Sequence, residues 1–203
     1  MDVALLAGWN SAEGGPGNVL GRADATVDNY RTAVKKMYNE RAQDILDAYP
    51  AATDADVAQA ATNLASDRFI AYATWKFIDM QGKTGHKPVY RYFFNKRRPI
   101  QANAPAGTVD HSPGAAHASE IEYALGNLPT NKVYAWTPDD FKTSETMQNF
   151  FTNFVKTGNP NGPGLPAWDT IKTGNVMVIN QESKQEPQPD PKRQKTMDSF
   201  FNK

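Results

Sequence analysis

Two stretches of this 203-residue chain place ionisable side chains where they could do acid–base chemistry. The first, Leu5-Leu6-Ala7-Gly8-Trp9-Asn10-Ser11-Ala12-Glu13-Gly14-Gly15, is an apolar run that ends in a Gly-flanked carboxylate. A carboxylate on the loop after a strand is where an α/β enzyme sets the partner that orients a histidine. The second, Gly114-Ala115-Ala116-His117-Ala118-Ser119-Glu120-Ile121-Glu122-Tyr123-Ala124-Leu125-Gly126-Asn127, opens on small residues, presents His117 and then turns apolar. An imidazole on a loop entering a helix can face a cleft and move protons near neutral pH. Each residue also has a plainer reading: Glu13 as a solvated loop carboxylate, His117 as a ring satisfied by a local hydrogen bond.

Other groups point to less. Asp110 and His111 lie near His117, but no tight zinc-ligand spacing is present, so no metal is expected. Glu120 and Glu122 read as acids that complement the dipole at a helix start. As i, i+2 neighbours they face different sides of a helix and do not form a glycosidase pair. Lys96-Arg97-Arg98 reads as a solvated face, because 22 basic residues balance 22 acidic ones and no bulk field favours nucleic acid. His86 has no partner legible in the sequence. No pattern asks for a cofactor.

The elements that must position Glu13 and His117 suggest an α/β class with few strands, several helices and long loops. Residues 2–8 read as a short buried strand, with Glu13 just past its C-terminal end, where α/β sheets place their chemistry. A helix is predicted from about Thr26 to Tyr49, with Val27, Tyr30, Val34, Met37, Tyr38, Ile45 and Leu46 near the helical period and Pro50 as its stop. An Ala-rich helix starts near Asp54 or Asp56. The apolar segment Asp67 to Met80 reads as deeply buried or as lacking a covering element. Pro88 to Phe94 is the clearest strand, with Tyr90, Tyr92 and Phe94 on one face and Val89, Arg91 and Phe93 on the other. The Pro- and Ala-rich loop 99–113 delivers His117. A further helix opens at Asp139-Asp140 and Thr143 or Ser144, carries Met147, Phe150, Phe151, Phe154 and Val155, and is capped by Gly158. Asn175 to Asn180 reads as an edge strand and Lys192 to Phe201 as a short last helix.

The chain has no cysteine, which excludes disulfides and thiol chemistry. No apolar run approaches the roughly 20 residues that span a bilayer. Met1-Asp2-Val3 offers no basic region before the first apolar run, so no signal peptide is expected; the compartment stays open.

The two chemistry-bearing stretches resemble the type B carboxylesterase and cholinesterase family of α/β-hydrolases. Its acid motif, Gly-x-Asn-x-Asp-Glu-Gly, is matched by Gly8, Asn10, Glu13 and Gly14, with Ala12 in place of the Asp. Its histidine motif is matched by Gly114, His117, Glu120, Ile121, Tyr123 and Gly126. Phe151 to Asn161 and Leu165-Pro166-Ala167-Trp168 look like the family's closing helix and the Trp-bearing loop after it. The acid precedes the histidine, as in that fold. The resemblance implies that residues 1–203 form a single C-terminal region of an α/β-hydrolase, with Glu13 as triad acid and His117 as base. It implies a small-molecule ester as substrate and either the N-terminal part of the same enzyme or self-association as partner. Glu120 matches a family position with a structural role.

The family's Gly-x-Ser-x-Gly elbow does not occur. The nearest approach, Asp110-His111-Ser112-Pro113-Gly114, lacks the first Gly, and Pro113 removes the N–H an oxyanion hole would use. The chain is therefore expected to be inactive by itself. Ser112 and Ser119 are the serines to suspect should that expectation fail. A non-catalytic interaction module, as in the neuroligin-like branch of the superfamily, is the alternative; the presence of both Glu13 and His117 argues against it. An unrelated small α/β binding domain is a third reading.

Overall fold

A computed structural model describes residues 2–201. Its centre is a four-stranded sheet of β1 (Leu5–Asn10), β2 (Val89–Phe94), β3 (Asn175–Ile179) and β4 (Lys184–Pro187), in that spatial order. β1, β2 and β3 run parallel; β4 returns antiparallel along β3. The register sets Leu5 opposite Val89 and Asn10 opposite Phe94. Gly8 lies opposite Tyr92, and a Cβ at Gly8 would overlap the Tyr92 ring and carbonyl. The alternation read for β2 is observed. Tyr90, Tyr92 and Phe94 pack with Tyr123, Met147, Phe150 and Trp168, while Val89 and Phe93 pack with Trp9 and Ile78 on the opposite face. Parallel strands need such cover on both faces.

The first strand begins three residues later than read and extends to Asn10, so Glu13 follows it more closely than expected. Asn175–Ile179 is not an edge strand but an interior one, because β4 pairs outside it. β4, Lys184-Gln185-Glu186-Pro187, has no apolar alternation and gave no strand signal.

α1 (Gly17–Leu20) is a single turn. α2 (Val27–Tyr38) starts where Thr26 accepts a hydrogen bond from the Asn29 N–H at 3.3 Å. The single helix expected to Tyr49 is broken at Asn39, whose φ is +49°, and resumes as α3 (Ala42–Ala48). Asn tolerates positive φ better than most residues. The break re-aims α3 so that Ile45 and Ala48 join Tyr30 and Val34 in one core.

α4 (Asp54–Ser66) is opened by a reciprocal cap between Thr53 and Asp56. It runs through a π-helical turn, Asp67–Ala71, into α5 (Tyr72–Thr84). Both readings of 67–80 find support: Ala71 and Ile78 are buried, whereas Phe69, Phe77 and Met80 are exposed, as in a segment without its cover. Tyr72 is buried and stacks on Trp75 in the helical core.

α6 (Ile121–Leu125) follows His117. α7 (Pro138–Thr157) starts one residue or more before the predicted opening, because Thr137 and Asp140 cap each other's ends and Pro138 occupies the first turn. Gly158 closes it at φ +75°, as expected. α8 (Pro191–Phe201) packs Met197 and Phe200 on the helical core.

Candidate active site

The end of β1 fixes the acid. Asn10 closes the strand, and its backbone N–H donates to Glu13 Oε1 at 2.7 Å. That bond folds the Ser11–Glu13 turn back so the carboxylate stays beside the strand end. The Glu13 side chain is 7% exposed.

His117 meets it there. His117 Nδ1 lies 2.6 Å from Glu13 Oε2. A carboxylate accepts, so Nδ1 carries a proton, and in the neutral ring Nε2 then keeps the lone pair. The His117 side chain is 53% exposed, so the ring faces open space while its partner does not. The structure therefore brings together the two residues that the sequence singled out.

Four further contacts join the loops that carry them. The Ala12 N–H donates to the Ala115 carbonyl at 2.8 Å. The Ala115 N–H donates to Ser11 Oγ at 2.7 Å. The Asn10 amide donates to the Ala116 carbonyl at 2.8 Å and to the Glu120 carboxylate. Gly114 is required by this closeness, since a Cβ there would collide with Ser11. Glu120 thus serves as the anchor of Asn10, a tertiary role rather than only the dipole role read for it.

His117 is followed by a strained residue. Ala118 has φ +60°, a conformation that costs a non-Gly residue about 1–2 kcal/mol. Arg98 holds it: Nη2 donates to the Ala118 carbonyl at 3.3 Å, and the guanidinium pairs with Glu122 at 2.7 Å. Glu122 also accepts from the Asn131 amide. So Glu122, too, is a bonded anchor, and one member of the basic run 96–98 is not a solvated face. Lys96 is another exception, pairing with the fully buried Asp140 at 2.9 Å.

The sequence did not reveal Asn10 as a bridge, Arg98 as a support, or Ser66 and Phe69 as neighbours of the site. Ser66 Oγ accepts from the Gly14 N–H at 3.1 Å. The Phe69 ring meets His117 edge to face, with centroids 5.1 Å apart. Phe69 sits on a helix far away in the sequence, and no local pattern announces such a contact.

The remaining candidates lie elsewhere. His111 is exposed, and the Ser112 hydroxyl donates to Asp110 at 2.8 Å. Ser119 is fully buried. His86 does have a partner: its backbone N–H donates to Asp2 at 2.9 Å, and its ring lies 3.5 Å from the same carboxylate. Among the described residues no cluster of His and acids could hold a metal ion. Nor is any helix among them long and apolar enough to cross a membrane.

A family profile described as "Carboxylesterase family" matches residues 16–199. Among curated proteins, the chain is similar to the medium-chain fatty acyl-CoA hydrolase precursor of Anas platyrhynchos, 41% identical over 83 residues, 40% of this chain and 14% of that protein. It is 32% identical to carboxylesterase 4A of Bos taurus over 106 residues, 52% of this chain and 18% of that protein. It is 28% identical to acetylcholinesterase of Bungarus fasciatus over 125 residues, 60% of this chain and 19% of that protein. These alignments span less than a fifth of each relative. The profile match covers all but short ends, and the chain belongs to the carboxylesterase family, its sheet and helices forming part of an α/β-hydrolase fold.

Proposed function

We propose that this chain supplies the acid and the histidine of a serine carboxylesterase triad, Glu13 and His117, to a nucleophilic serine carried on another segment of the enzyme. The 2.6 Å contact between Glu13 and His117 is the observation that supports this most. The serine attacks the ester carbonyl. His117 Nε2 takes the serine proton and later gives it to the leaving alkoxide. Glu13 keeps the proton on Nδ1 and stabilises the imidazolium that forms, without itself being protonated.

The same reading makes residues 1–203 a single C-terminal region whose partner is the N-terminal part of the enzyme. β1 supports this: it is the outermost strand of the sheet on its side, yet it is parallel, apolar and free of the Lys or Pro that blunt natural edges. Without that partner the exposed edge favours self-association.

A paired assay tests the proposal: hydrolysis of a short p-nitrophenyl ester by the purified chain, with labelling by a serine-directed fluorophosphonate. The expected result is neither turnover nor label. Stoichiometric labelling with turnover would assign the nucleophile to a serine of this chain and overturn the division of roles.

A further inference from the structure

We propose that Phe69 is a positioning residue for His117, and that the buried Asp67–Arg193 pair holds Phe69 in place from outside the site. The functional part of this inference rests on His117 being the base proposed above.

A single bond to Glu13 fixes one nitrogen of the imidazole but leaves the ring free to pivot about that bond. A second contact is needed if Nε2 is to keep one direction. Phe69 supplies it. Phe69 is 59% exposed, and its ring meets the His117 ring at 5.1 Å with the planes 74° apart. Edge-to-face pairs of this kind are favourable and orientation-dependent.

Phe69 reaches His117 because of the π-helical turn. α4 and α5 would otherwise form one regular rod. A π turn takes in one more residue than an α turn and so rotates the side chains that follow; such turns recur at functional sites. The same turn braces the acid, since Ser66 at its start accepts from the Gly14 N–H. One short segment therefore touches both the acid loop and the histidine ring.

The turn is anchored at Asp67, which is 3% exposed. Asp67 Oδ2 accepts from Arg193 Nε at 2.9 Å and Nη2 at 2.8 Å, and from the Tyr49 hydroxyl at 2.8 Å. Arg193 Nη2 also donates to the Asn63 carbonyl at 3.2 Å. Arg193 belongs to α8, which is tied again to α5 where Asp198 accepts from the Tyr72 hydroxyl at 2.7 Å and from Lys76 at 2.6 Å. α8 thus straps the helix on both sides of the turn. No hydrogen bond among the described residues joins Asp67 or Arg193 to Glu13 or His117, so their influence passes through Phe69 and Ser66.

The full chain has three histidines, of which His86 and His111 are exposed, so ring-carbon NMR gives a simple spectrum. His117, assigned by its loss in His117→Gln, is expected away from the other two because of the Phe69 ring current. Phe69→Ala moves the signal toward those of His86 and His111 and, in the parent enzyme, lowers kcat several-fold with little change in KM, whereas Phe69→Tyr leaves both in place. Arg193→Lys, which keeps a cation but loses the fork, and Asp67→Asn move it part of the way. An unmoved signal, or an unchanged kcat in the parent enzyme, in folded Phe69→Ala overturns the positioning role. A signal moved by Phe69→Ala but unmoved by both Arg193→Lys and Asp67→Asn overturns the anchoring role. Should His117 not be the base, these shifts persist, and the failure shows instead as normal turnover of the parent enzyme carrying His117→Ala.

Discussion

Asn10 and Glu120 lie 110 residues apart in sequence and are joined side chain to side chain where β1 ends and the histidine loop begins. Asn10 is 1% exposed, and the same amide also holds the Ala116 carbonyl. Asn10→Ala should therefore leave a half-buried carboxylate and a carbonyl without their donor, costing about 1–3 kcal/mol. Asn10→Asp should cost more, because it sets a third carboxylate beside Glu13 and Glu120. Urea unfolding of the three proteins reads this; equal midpoints would show that the bridge contributes nothing.

The strain after His117 makes an opposite prediction. Ala118 has φ +60°, and glycine adopts that conformation without a Cβ penalty. The relief of about 1–2 kcal/mol outweighs the roughly 0.5–1 kcal/mol that glycine costs in chain entropy. Ala118→Gly should raise the unfolding midpoint slightly, and Ala118→Val should lower it. A destabilised Ala118→Gly would mean that the Arg98 and Glu122 contacts do not hold a strained backbone.

Asp140 predicts a pH effect. Burial by itself would raise its carboxyl, but hydrogen bonds from Lys96, Thr137 and Tyr123 outweigh burial and hold it below the usual carboxylate range. A folded-state value below the unfolded one gives stability that is present above the unfolded pKa of about 4 and is lost as pH falls through the folded value. Asp140→Asn should flatten the acid limb of the stability curve below about pH 4 relative to the native chain. Lys96→Ala should destabilise by about 3 kcal/mol near neutrality, since it leaves a buried charge unpaired. An unchanged acid limb in Asp140→Asn would contradict this.

Open strand edges give a prediction about assembly. The purified chain should sediment as larger than a monomer through the β1 edge, and the N-terminal part of the parent enzyme should convert it to a one-to-one complex. A monodisperse monomer that ignores the N-terminal part would contradict the proposed partnership.

The parts of this architecture that were legible in the sequence are those written in local chemistry. Glu13 and His117 stood out because each is flanked by small residues after or before an apolar run. The faces of β2 followed from strict alternation of Tyr90, Tyr92 and Phe94 against Val89 and Phe93. Gly158 marked a helix end by its own backbone preference. What stayed hidden depends on distant partners or on shifts of one residue. The helical period continues through Asn39, so nothing local announced the break. A π turn at 67–71 adds one residue to a periodicity that short windows cannot resolve. β4 pairs because β3 offers it hydrogen bonds, not because Lys184-Gln185-Glu186 favours a strand. Asn10, Arg98 and Phe69 act on the site through contacts that only the folded chain creates.

The first experiment should be steady-state hydrolysis of a p-nitrophenyl ester by the parent enzyme bearing His117→Ala, beside Glu13→Gln and the unaltered protein, with each variant shown to be folded. If Glu13 and His117 are triad members, His117→Ala should lower kcat by about 10⁴-fold or more, and Glu13→Gln should also lower it heavily by disturbing the tautomer. Normal turnover in folded His117→Ala would contradict the assignment and leave the Glu13–His117 contact as a structural feature of the loop.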